Sequence, residues 1–151
     1  MRTLGFLTVV AAMALSGCAK PEGLHIVDPV VRLAANPQAP AAGYFTIKGG
    51  PVADRLLSVS SPLVIKIELH ESMSKDGPST SSGGAMASMK PLDGGVEVPA
   101  NGTVEFKEGG KHLMLYDINP GVAPNETIQV NFTFASGTIL QGFAPVRRAG
   151  R

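Results

Sequence analysis

Thr127-Ile128-Gln129-Val130-Asn131-Phe132-Thr133-Phe134 alternates polar and apolar residues without a break. Successive side chains of a β-strand point to opposite faces. The stretch therefore predicts a strand with Ile128, Val130, Phe132 and Phe134 on a core face and Gln129, Asn131 and Thr133 on the other. Ser136-Gly137 then turns the chain into an expected last strand at 138–143. Working back toward the N-terminus, residues 64–70 repeat the two-residue period. Ile65, Ile67 and Leu69 share one side, and Lys66, Glu68 and His70 the other. Further strands are expected at 26–33, 44–48, 56–60, 86–91, 96–99, 103–107 and 112–118. Ala100-Asn101-Gly102 joins two of them, and Asn-Gly is a tight-turn signal. Asn36-Pro37-Gln38-Ala39-Pro40 argues against helix, and 71–87, with Ser79-Thr80-Ser81-Ser82-Gly83-Gly84, has a linker's composition. No stretch has helical amphipathicity, and no internal repeat is visible. This series of short strands, with turn signals about every 8–12 residues, predicts an antiparallel β-sandwich or barrel.

Composition agrees. The 151 residues include 18 Gly and 12 Pro, which suit turns and short strands. Lys and Arg total 13 against 12 Asp and Glu. With no basic stripe, nucleic acid is not an expected partner.

The first seventeen residues read as a targeting segment. Arg2 supplies positive charge, and 4–15 is an apolar run too short to span a bilayer comfortably. Leu15-Ser16-Gly17-Cys18 follows and resembles the lipobox cut by lipoprotein signal peptidase. The expected organisation is a lipoprotein signal peptide at 1–17, a lipidated tether at 18–24 and a β-sandwich domain at 25–147. Cys18 is the sole Cys, so its lipidation leaves no thiol for a disulfide or a thiolate metal site. Several acyl chains anchor stably where one does not. The expected location is the periplasmic face of a bacterial membrane. Ala19 in place of Asp favours the outer membrane under an enteric-type sorting rule.

Beyond the leader stand four Met, at 73, 86, 89 and 114, and three His, at 25, 70 and 112. All four Met and two of the His lie between His70 and Met114, whereas the core elsewhere is Val, Ile, Leu and Phe. Met is not serving as a general gap-filler here. His112 and Met114, two apart on a strand, project to one face with Tyr116, while Leu113 and Leu115 face the core. With His70 and Met89 they make a set of two imidazoles and two thioethers. Thioethers suit copper(I) and are poor ligands for zinc, magnesium or calcium. A blue-copper centre requires a Cys thiolate and is excluded; a closed zinc site is disfavoured by the lack of Cys. His25 lies apart as a structural or exposed residue. The Ser run at 79–82 has no His/Asp partners for nucleophilic catalysis. Glu68, Glu71 and Asp76 lack a spacing for paired acid–base work, and no Gly-rich phosphate loop precedes a helix.

Leu69-His70-Glu71, Met89-Lys90-Pro91, Val98-Pro99-Ala100-Asn101-Gly102 and Gly109-Gly110-Lys111-His112-Leu113-Met114-Leu115 together resemble the PCu(A)C family of periplasmic copper chaperones. Ala42-Gly43-Tyr44-Phe45-Thr46-Ile47 and Val59-Ser60-Ser61-Pro62 look like that family too, and the resemblance covers about residues 27–146. It implies a cupredoxin-like Greek-key β-sandwich. It implies copper(I) held by His70, Met89, His112 and Met114, with no covalent chemistry and hence no enzyme. It also implies exchange with a cytochrome c oxidase subunit or a Sco-type copper protein, toward the oxidase's binuclear copper centre. The chain departs from the family in one stretch. Eighteen residues separate His70 from Met89, because the Ser/Gly run is inserted, and the family's Met-x-Met pair is spread to Met86-Ala87-Ser88-Met89. Met89 fits the Met position best, with Met86 or Met73 as possible substitutes. Two alternatives stay open: a structural or interaction lipoprotein without metal, and a periplasmic copper-buffering or resistance protein.

Overall fold

A computed structural model describes residues 23–73 and 88–148. The expected signal peptide, Cys18, the 79–84 run and Met86 lie outside the described residues. Ten strands and no helix are present among them: β1 (His25–Leu33), β2 (Ala41–Lys48), β3 (Asp54–Ser60), β4 (Val64–Met73), β5 (Ser88–Pro91), β6 (Val96–Val98), β7 (Thr103–Phe106), β8 (Lys111–Ile118), β9 (Thr127–Phe134) and β10 (Ile139–Arg148). The expected all-β class holds and each expected strand has a counterpart, but β4 runs on to Met73, into the stretch expected as linker, and the last strand runs on to Arg148 rather than ending at 143.

The strands form one curled sheet in the order β5-β4-β8-β7-β2-β1-β10-β9-β3-β6, with β8 also pairing to β2. It divides at β10. The first part of β10 pairs antiparallel with β9, from Ile139 opposite Thr133 to Pro145 opposite Thr127. Its last residues pair with β1, Val31 opposite Val146. One strand thus serves both layers. The β1–β10 pair and the single β7–β8 contact are parallel, which corrects a purely antiparallel reading.

The layers close on the alternating apolar faces. Ile128, Val130, Phe132 and Phe134 are all buried, as their period requires. Phe45 of β2 stacks on Phe106 of β7 with ring centroids 4.2 Å apart. It also meets Phe132 of β9 at 4.8 Å in a tilted contact. Such offset and tilted ring pairs are worth about 0.5–1.5 kcal/mol beyond their burial, and this trio joins the two layers.

Two local expectations are corrected. The turn at Asn101 forms, with Gly102 N–H donating to the Pro99 carbonyl at 2.9 Å and Asn101 at φ 53°. It does not make a hairpin, because β6 pairs with β3 and β7 with β2. The turn is held from outside, Asn101 N–H donating to the Gly50 carbonyl at 2.7 Å and Gly49 N–H to the Gly102 carbonyl at 2.8 Å. In β4, Ile65 is exposed and Val64 is buried in its place. Val64 N–H still bonds the Ser61 carbonyl in a turn, and regular inside–outside alternation begins only further along, with Leu69 buried.

Candidate metal centre

The register of three strands decides which side chains meet. In the antiparallel β4–β8 ladder His70 lies directly opposite His112, Glu68 opposite Met114 and Lys66 opposite Tyr116. In the β4–β5 ladder Ser72 lies opposite Met89 and His70 opposite Pro91. Directly opposed residues share a face of the sheet. His70, Met89, His112 and Met114 therefore all stand on one face, that of Glu68 and Ser72. Leu69, Leu113 and Leu115 are buried on the reverse face. Met73 pairs with Ser88 and, three residues from His70, belongs to that reverse face, where it is half exposed. His25 sits opposite Lys48, at the far end of β2 from the Ala41–Gly43 segment that meets β8.

The approach of β8 to β2 depends on a glycine. Gly43 lies opposite Leu113 and Ala42 opposite Met114. A Cβ on Gly43 would stand 3.0 Å from both Cβ and Cδ1 of Leu113. Without a side chain there, the strand carrying His112 and Met114 lies close against β2.

The two imidazoles, one buried and one partly buried, are oriented differently. Their ring centroids are 6.1 Å apart at an interplanar angle of 47°. His112 is only 6% exposed and is the one buried polar residue among the described residues. Its Nδ1 lies 2.9 Å from the Gly110 carbonyl, an acceptor, so Nδ1 carries the proton and Nε2 keeps its lone pair. His70 is reversed: its Nε2 lies 3.2 Å from the Glu68 carboxylate. Its Nδ1 is the only buried side-chain nitrogen or oxygen among the described residues with no hydrogen-bond partner. A buried polar atom left unpaired is costly, which makes it a marker for an absent ligand.

This donor set fits a soft monovalent metal. A metal–imidazole bond is about 2.0 Å, so two rings on one ion place their centroids roughly 5–6 Å apart, close to the separation found. No cluster of three or more His, Cys, Asp or Glu among the described residues is arranged to hold a metal. The neighbours that share the face of the two imidazoles are the thioethers of Met89 and Met114. Accessibility is graded across it: His112 is buried, His70 and Met114 are intermediate, and Met89, on the short edge strand β5, is 50% exposed.

Glu68 was legible in sequence only as a carboxylate without acid–base spacing. Its ammonium neighbour Lys66, at 2.7 Å, and then its bond to His70 hold the carboxyl below the usual Glu range. Lys66 also lies 5.1 Å from the Tyr116 ring centroid, a cation–π contact. Burial, with Glu68 nearby, raises the Tyr116 hydroxyl. The period of β4 places Glu68 beside His70 and was the available clue; the Gly110 carbonyl behind His112 had none.

Solved structures share this architecture. The copper-bound PCuAC domain from PmoF2 superposes with a TM-score of 0.62 at 17% identity, over 85% of this chain and 96% of that one. The copper(I) form of DR1885 from Deinococcus radiodurans gives 0.61 at 22% identity, over 86% and 83%. The chain thus has the cupredoxin-like β fold of PCuAC domains, as the sequence resemblance implied. Residues 24–146 match the model of the family described as "Putative lipoprotein LpqE-like", and the chain belongs to that family. Uncharacterized protein RP573 of Rickettsia prowazekii (strain Madrid E) is 29% identical over 119 residues, covering 76% of this chain. The chain spans 61% of that relative's length.

Proposed function

We propose that the protein carries copper(I) as cargo on His70, Met89, His112 and Met114, and passes it to a partner by ligand exchange. The observation that carries this reading is the unpartnered, buried Nδ1 of His70, one cross-strand position from a second imidazole with a free Nε2. Two thioethers stand on the same face. Four neutral ligands leave the ion monopositive and favour the soft, reduced state. The copper-bound PmoF2 domain and the copper(I) form of DR1885 share the fold, which supports the same cargo here.

The gradient of exposure suggests an order of exchange. Met89 is the outermost ligand, on an edge strand of four residues. A partner's sulfur or imidazole enters there as Met89 leaves, and the buried His112 releases last. No bond of a substrate is made or broken, so the activity is transfer rather than catalysis. In this reading the acceptor is a cytochrome c oxidase subunit, with a Sco-type protein as donor or acceptor. Lipidated Cys18 holds the domain at a periplasmic membrane surface, which raises its effective concentration beside a membrane partner.

The test is titration of the full chain, in mild detergent, with copper(I) against a chromogenic chelator, beside a His112→Ala/Met114→Ala variant. One equivalent withheld from the chelator by the parent and surrendered by the variant is expected. Equal behaviour of the two proteins would sink the assignment and favour a structural lipoprotein. The enlarged gap between His70 and Met89 is the feature that motivates that second reading.

A further inference from the structure

Resting on the copper(I) reading, we propose that Glu68 is a positioning residue that fixes the proton of His70 on Nε2. The two imidazoles would then bind metal through different nitrogens, Nδ1 of His70 and Nε2 of His112.

Three hydrogen-bonding facts lead there. Glu68 Oε2 lies 3.2 Å from His70 Nε2, and an ionised carboxylate only accepts. If His70 carried its proton on Nδ1 instead, two lone pairs would face each other at Nε2, and a buried N–H would have no acceptor. Both defects vanish with the proton on Nε2. What remains is one buried lone pair, on Nδ1, suited to a Lewis acid. His112 reaches the same condition through a backbone acceptor, the Gly110 carbonyl at 2.9 Å. That carbonyl also accepts from Ser72 N–H at 3.1 Å and is held by the end of the β4–β8 ladder. One imidazole is thus oriented by the backbone, which mutation cannot easily remove, and the other by a side chain, which it can.

Glu68 is itself braced. Its other oxygen, Oε1, binds Lys66 Nζ at 2.7 Å. Lys66 in turn lies over the Tyr116 ring, and Tyr116 lies two residues beyond Met114 on the same face of β8. The Lys66 charge balances the carboxylate, so the brace adds no net charge beside a monopositive ion. Outer-sphere carboxylates that receive a ligand His N–H fix its tautomer and raise its basicity, and their loss costs about 10–100-fold in metal affinity.

The experiment pairs two readouts on the full chain in mild detergent: nitrogen NMR of ¹⁵N-histidine-labelled, metal-free protein near pH 8, and copper(I) competition against a chelator. In the parent, His70 is expected to show a protonated Nε2 and an unprotonated Nδ1. Glu68→Ala should lose that preference and weaken copper(I) about 10–100-fold, while Glu68→Gln, whose amide oxygen still accepts, should restore the tautomer and most of the affinity. A parent His70 protonated on Nδ1, or a Glu68→Ala protein with unchanged tautomer and affinity, would overturn the proposal. The tautomer is read without metal. A parent that shows the expected tautomer yet withholds no copper would therefore defeat the copper reading while leaving Glu68's hold on His70 in place.

Discussion

At the scale of single residues, the methionines separate by strand parity. Met89 stands opposite Ser72 and shares the face of His70, whereas Met73 stands opposite Ser88 on the other face. Composition cannot distinguish them, since both are Met, flanking the inserted stretch on its two sides. Pairing register can, because a shift of one residue exchanges the faces. Met89→Ala should therefore weaken copper(I) by tenfold or more, about 1.4 kcal/mol per decade, while Met73→Ala should leave the affinity unchanged. Each is half exposed, so neither truncation should disturb the core, and parallel urea unfolding of the two variants checks that. Equal losses of affinity would mean that the register shown is not the register that binds. The His-x-Met end was readable directly, since two residues apart on one strand is a local statement. The meeting of His112 with His70 was not, because it depends on which strands pair.

At the scale of elements, β8 is the strand on which the site depends, and Gly43 is what allows it to lie close to β2. Gly43→Val should force Leu113 away, since even the first carbon of the new side chain meets Leu113 Cβ at 3.0 Å. Overpacking of this kind costs roughly 1–3 kcal/mol. Urea unfolding should show that loss, and the chelator titration should show weaker copper(I), because His112 and Met114 flank Leu113. A destabilised protein with unaltered affinity would mean that β8 keeps its place by its ladder with β4 alone. The strand positions themselves were legible in sequence: β9 spans the residues its alternation outlines. The pairing was less so. Asn101-Gly102 makes the tight turn it promised, yet the strands it joins belong to different layers. A turn motif specifies local backbone angles, and only contacts outside it decide whether the flanking strands meet; here Gly49 and Gly50 hold the turn. The exposed Ile65 has the same lesson, since a period of two gives the faces of a strand but not where along it the core begins.

At the scale of the whole molecule, the proposed cargo and the fold are energetically linked. The four proposed ligands come from three strands, and β4 and β8 pair only when the sheet has formed. An unfolded chain does not bring these side chains together, so copper(I) at the proposed site would favour the folded state. Anything that does so stabilises by mass action, by about 2.7 kcal/mol when free ligand is a hundredfold above its dissociation constant. For a domain of this size that corresponds to a rise in melting temperature of roughly 10 °C. The rise should grow with the logarithm of free copper(I) and vanish in the His112→Ala/Met114→Ala variant. Phe132→Ala supplies the complementary case: it truncates the ring that meets Phe45 across the layers and should cost roughly 3–5 kcal/mol, but it leaves all four ligands intact. That variant should melt lower yet gain the same increment from copper(I). If copper(I) moved neither melting curve, the unpartnered nitrogen of His70 would have to be explained by something other than this cargo.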